Sequence, residues 1–194
     1  MKHLIFTFGL IGMAAVLFSQ SLKSGGGEYA VPTSQCLTKE QYEKISEQLT
    51  NSKLDLQRKG LLPQTFSTEA LAFDFPLKQN PAYNYNSFFG ISNYFDHNVS
   101  FPNVITDYNC GTRSYDTQGG YNHQGIDYFL WPFDNLMMSR SQVHIVAAEA
   151  GTILFKSDGN ADQNCSFCTN CNWNAVYITH ADGSVAWYGH MKSG

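Results

Sequence analysis

Apolar residues recur along the chain at two periods, and the change of period divides it. From Leu37 to about Arg58 the spacing is helical, with Tyr42, Ile45 and Leu49 on one face. Thr38 and Gln41 can form a capping box, Leu37 and Tyr42 a hydrophobic staple, and Gly60 and Pro63 stop the run. Beyond it the period is two. Leu71, Phe73, Phe75 and Leu77 alternate, which predicts a strand ended near Pro76 and Pro81. Phe101, Val104 and Ile105 predict another. Val143, Ile145 and Ala147, followed by Gly151 to Phe155, predict a hairpin turning at Glu149-Ala150-Gly151. His144 alternates with its apolar neighbours and so faces solvent. Ala175 to His180 alternates, Ala181-Asp182-Gly183 turns, and Ser184 to Tyr188 returns, predicting a second hairpin. The expected fold is mainly β: antiparallel sheets preceded by one helix and an irregular, aromatic-rich segment.

The N-terminus changes the picture of where the chain works. Met1-Lys2-His3 is a short basic start, Leu4 to Phe18 is apolar, and Ser19 to Ser21 offer a cleavage site. The apolar run is short for a membrane span, so residues 1–21 read as a cleaved secretory signal. Lys23 to Gln35, with Gly25-Gly26-Gly27, reads as a flexible lead-in. The first cysteine is Cys36, too far from the leader for an N-terminal lipid anchor. The expected location is the periplasm or the exterior.

Composition agrees with export. Only 14% of residues are charged, and 14 Phe and 11 Tyr take up part of the difference, which suits a β-rich, turn-rich protein. The net charge of −4 does not suggest a nucleic-acid partner, and no Lys/Arg run marks a membrane surface. Five cysteines in an exported chain predict disulfides, with one thiol free or paired between chains. Cys165, Cys168 and Cys171 have metal-like spacing, but a structural zinc site takes four ligands, so stapling of a loop is the reading. There is no internal repeat, phosphate-cradling glycine loop, serine nucleophile elbow or His-Glu-x-x-His helix.

The candidate chemistry centres on Gly119-Gly120-Tyr121-Asn122-His123-Gln124-Gly125-Ile126-Asp127. Imidazole nitrogen and carboxylate oxygen are both good zinc ligands. In a straight strand His123 and Asp127 would lie about 13 Å apart on one face. Binding one metal therefore requires a bend, which Gly125 can make. Downstream stands Trp187-Tyr188-Gly189-His190-Met191. His97, within Tyr94-Phe95-Asp96-His97-Asn98, reads as a solvated turn residue, and His180 as a residue flanking the second hairpin's turn.

Together, the His123/Asp127 element and Tyr188-Gly189-His190-Met191 resemble the lysostaphin-type (LytM-type) zinc endopeptidases, over roughly residues 119 to 191. The resemblance implies an antiparallel β-sheet peptidase domain with zinc as cofactor. It makes His123 and Asp127 two of three zinc ligands, His190 a catalytic histidine, and the peptide cross-links of bacterial peptidoglycan the substrate. The third ligand would come from a His-x-His motif nearer the C-terminus, which residues up to Gly194 do not contain. The expected organisation is a signal peptide (1–21), an N-terminal helix and aromatic-rich region (22–100), and a zinc endopeptidase domain incomplete at its C-terminus (101–194). The alternative function is an inactive relative acting as a cell-wall binding or activator module.

Overall fold

The computed structural model describes residues 37–163 and 171–194; the signal-peptide reading and Cys36, Cys165 and Cys168 lie outside them. The described residues belong to one compact unit. Helix α1 spans Lys39–Arg58 and starts as its sequence predicts. The Thr38 hydroxyl accepts from the Gln41 N–H at 3.2 Å, and the Gln41 side chain accepts from the Thr38 N–H at 2.9 Å. Two donors that the helix leaves unpaired are thus satisfied reciprocally. The chain leaves at Gly60, whose φ of 71° suits glycine.

The predicted face of α1 closes a core. Leu49 joins Leu62, Leu154, Ala175 and Tyr177, with Ile45, Leu56, Phe155, Trp173, Val185 and Trp187 packed against them. Tyr42 stacks on Trp187, ring centres 5.3 Å apart. Each fully buried aliphatic side chain here contributes about 1.5–3 kcal/mol. The helix is therefore part of the fold that carries the site.

Among the described residues there are three sheets. Strands β5 (Thr152–Ser157), β6 (Ala175–Thr179) and β7 (Val185–Tyr188) form an antiparallel sheet in that order. The β6–β7 hairpin is the second one predicted, with register Val176 opposite Tyr188 and Thr179 opposite Val185. Gly183, at φ 82°, makes its turn. Strands β1 (Leu77–Gln79) and β4 (Val143–Ile145) pair with each other, as do β2 (Phe89–Asn93) and β3 (Asp127–Leu130). The architecture is mainly β with small antiparallel sheets, as expected.

Three local expectations fail. The first hairpin does not form: β4 takes β1 as partner, while β5 pairs along β6. Gly151 explains part of this. A Cβ there would lie 2.4 Å from the Thr179 carbonyl, so the chain passes close to the end of β6 instead of folding back on β4. Residues 71–76 are not a strand. They form a strap tied by Asp74 N–H to Ala148 O and Val146 N–H to Pro76 O, leaving Phe73 and Phe75 half exposed. Phe75 still packs on Phe89 and Tyr128, tying the strap to the β2–β3 sheet. No strand forms over Phe101–Ile105 either. Asn103 adopts φ 59°, and the Asp116 carboxylate accepts the N–H groups of Asn103 and Val104, which removes them from any ladder. Helix α2 (Asp134–Ser139) was not expected: six residues are too few to establish a helical period.

One loop makes a pH prediction. Asp107, 2% exposed, accepts N–H bonds from Asn109, Gly111 and Arg113 at 2.9, 2.7 and 3.0 Å. Burial pushes its carboxyl up, but these bonds and the Arg113 charge outweigh burial and hold it below its ordinary 3.8. A depressed folded pKa gives stability that is present above the unfolded value and is lost as pH falls through the folded one. Asp107→Asn should therefore melt lower near neutrality and lose less between about pH 5 and pH 2. Thermal melts across that range check this; parallel curves for the two proteins would refute it.

Candidate metal centre

The bend that the His123/Asp127 spacing requires is present. The chain bends at Gly125, and Asp127 opens β3 directly opposite Asn93 of β2. His123 is 2% exposed, and its ring stacks on the equally buried Tyr115 with centres 4.6 Å apart. Its backbone is held on both sides, by His123 N–H to Tyr115 O and Asp96 N–H to His123 O.

The ring's hydrogen bonds determine its chemistry. Nδ1 lies 2.8 Å from the Tyr94 carbonyl, which can only accept, so Nδ1 carries a proton. Nε2 lies 3.2 Å from Asp127 Oδ1. The other carboxylate oxygen, Oδ2, accepts from Asn93 Nδ2 at 2.9 Å, and Asn93 is itself 4% exposed. Asn93 and Tyr94 thus aim a nitrogen lone pair and a carboxylate oxygen at each other. Two lone pairs in contact repel unless a cation lies between them. That cation is either a second proton on the ring or a metal ion. Two bonds of about 2.0–2.2 Å at a tetrahedral angle put donor atoms about 3.3 Å apart, so the observed separation fits one zinc ion.

Asp127 has the charge state that a metal needs. Burial pushes its carboxyl up, but the hydrogen bond and charge of His123, the Asn93 bond and the charge of His190 outweigh this and hold it below its ordinary value. His190 therefore lies within electrostatic reach of Asp127. It is exposed at the end of β7, and its ring meets Trp173 edge-on, centres 4.8 Å apart. Tyr188, just before it, is anchored by the Ala148 N–H, which donates to its hydroxyl at 2.8 Å. The Asp127 side chain is 32% exposed and that of His123 3%, so the pair opens to solvent on the carboxylate side.

The other candidates lie elsewhere. His180 is 2% exposed, hydrogen-bonded from Nδ1 to the Ala150 carbonyl and packed against Phe73. His97 is exposed beside Phe95, and His144 is exposed opposite Lys78 on the β1–β4 ladder. Cys171 is disulfide-bonded, which excludes it as a zinc ligand, and Cys110 is a free, exposed thiol. Among the described residues, no group of three or more His, Cys, Asp and Glu side chains could hold a metal. The sequence points to two candidate ligands and a histidine beside them. Sequence reasoning missed Asn93, Tyr94 and Tyr115. Their roles come from the β2–β3 register and from ring stacking, and one Asn or Tyr among many in residues 79–121 carries no signal of either.

No family model, curated protein or solved structure matches the chain. Among the described residues no helix is long and apolar enough to cross a membrane.

Proposed function

We propose that the chain is an exported zinc metalloendopeptidase of the lysostaphin type that hydrolyses the peptide cross-links of bacterial peptidoglycan. The observation that carries this reading is the buried His123 Nε2–Asp127 Oδ1 pair, aimed by Tyr94 and Asn93, with His190 in electrostatic reach. His123 and Asp127 would hold the ion. When bound, zinc supplies a nucleophile by lowering the pKa of its water to about 7, and polarises the scissile carbonyl. The remaining work belongs to the side chains. Asn93 and the Tyr94 carbonyl keep both ligands in orientation. Tyr115 shields one face of the His123 ring from water. A ring nitrogen of His190 takes the proton from the attacking water and passes it to the leaving amine. Peptidoglycan as substrate rests on the resemblance of the His123/Asp127 element and Tyr188-Gly189-His190-Met191 to that family.

A second reading is an inactive relative that binds the cell wall through the same surface; among the described residues His123 and Asp127 are the two candidate ligands brought together, where catalytic zinc takes three. One experiment separates the two. The exported chain is purified, dialysed against trace zinc and measured for metal content. It is then incubated with purified sacculi while new amino termini are counted. Zinc near one per chain together with new amino termini establishes the endopeptidase. Zinc or sacculus binding without new termini establishes the inactive relative. A folded chain that takes up no zinc sinks the metallopeptidase.

A further inference from the structure

The segment between β5 and β6 has no part in the chemistry above, yet its last residues hold both neighbours of His190. Asn174 is 3% exposed. Its backbone carbonyl accepts the Met191 N–H at 3.0 Å, and its side-chain Nδ2 donates to the Met191 carbonyl at 3.1 Å. Both main-chain groups of Met191 are therefore bonded to one residue. The same side chain is held in turn by Asn160: Oδ1 accepts the Asn160 N–H at 2.8 Å, and Nδ2 also donates to the Asn160 carbonyl at 3.0 Å. On the other side of His190, Gly189 lies against the Trp173 ring so closely that a Cβ would sit 2.7 Å from it. Trp173 is fixed by its Nε1–H, which donates to the buried Tyr177 hydroxyl at 2.9 Å.

Between these two clamps His190 adopts φ 53°, the left-handed region that a side chain with a Cβ disfavours. Such a conformation persists only where the surroundings over-determine it. We propose that Asn174 is a positioning residue for His190: by bracketing Met191 it holds the His190 backbone left-handed and its ring edge-on to Trp173. This rests on the proposed role of His190 for its catalytic consequence, but not for the geometry. Without the Nδ2 bond, Met191 keeps its N–H bond to the Asn174 carbonyl but its own carbonyl can turn, His190 relaxes toward negative φ, and the imidazole moves off the Trp173 ring.

The test reads the histidine rings separately from catalysis. Proton–carbon NMR spectra of the metal-free protein resolve ring signals, assigned by His123→Gln and His190→Gln. In Asn174→Ala the His190 signal should move and lose its cross-relaxation with Trp173, while the His123 signal stays in place. Zinc affinity should stay within about twofold, because neither ligand is touched. Turnover on peptidoglycan peptide should fall about 10–100-fold with KM little changed, as for a base misplaced by about 1 Å. Asn174→Asp is the second variant, in case alanine prevents folding. It keeps the shape and the acceptor for the Asn160 N–H but removes the Nδ2 donor that serves both the Met191 and the Asn160 carbonyls, and the same His190 displacement is expected. An unmoved His190 signal in the folded variant overturns the proposal, and so does equal movement of His123 and His190, which would mark general loosening. If the parent protein neither binds zinc nor cleaves peptide, the peptidase reading fails while the ring signals still decide the role of Asn174.

Discussion

Replacing His123 with alanine should lower zinc affinity by about two to three orders of magnitude. The size follows from structural zinc sites, where four ligands together give about 10–16 kcal/mol, hence roughly 2.5–4 kcal/mol for each. His123 should be at the upper end of that share. Its ring is already buried, its tautomer is fixed by the Tyr94 carbonyl, and Nε2 needs no reorganisation to reach the ion. Asn93→Ala should have a smaller effect, about 10–100-fold, because it frees the Asp127 carboxylate without removing it. Acid should weaken zinc binding in the parent protein, since a proton and the metal compete for Nε2. Titration against a chromophoric chelator measures all three quantities. Equal affinity in the parent and His123→Ala would place any bound zinc elsewhere.

The largest effect on stability should come from Tyr177→Ala. Tyr177 is 1% exposed and lies in the cluster of Leu49, Leu62, Leu154 and Ala175. Its ring stacks on Phe155 and meets Trp187 edge-on, with centres 5.9 and 5.2 Å away. Removing a buried aromatic ring costs about 3–5 kcal/mol, transfer and cavity together. For a chain of this size that is a fall in melting temperature of roughly 6–20 °C. Tyr177→Phe keeps the ring and removes only the acceptor for Trp173 Nε1–H, which should cost about 1 kcal/mol. Thermal or urea unfolding of the two variants measures the difference. If Tyr177→Ala costs no more than Tyr177→Phe, the ring does not bear on the core.

What the sequence foretold was local. Thr38 and Gln41 specify a helix start within four residues, and Ala181-Asp182-Gly183 specifies a tight turn, so α1 and the β6–β7 hairpin were readable. The bend between His123 and Asp127 was readable because a glycine stands where ligand geometry demands one. The misses were choices of partner. Val143 to Ile145 has a strand's pattern, but nothing in it says that Leu77 to Gln79, more than sixty residues earlier, will claim it. Phe73 and Phe75 alternate as a strand would, yet the bonds from Asp74 to Ala148 and from Val146 to Pro76 make them a strap. The supports of the candidate site were hidden for the same reason. Asn93 becomes significant only once β2 is registered against β3.

The left-handed backbone at His190 sets two demands in opposition at one position. Glycine would satisfy the conformation at no steric cost but would remove the imidazole. Selection for heat resistance alone would therefore draw position 190 toward glycine, whereas selection for the proposed peptide cleavage would keep histidine. On that proposal, retaining histidine there is a trade of stability for activity, confined to one residue.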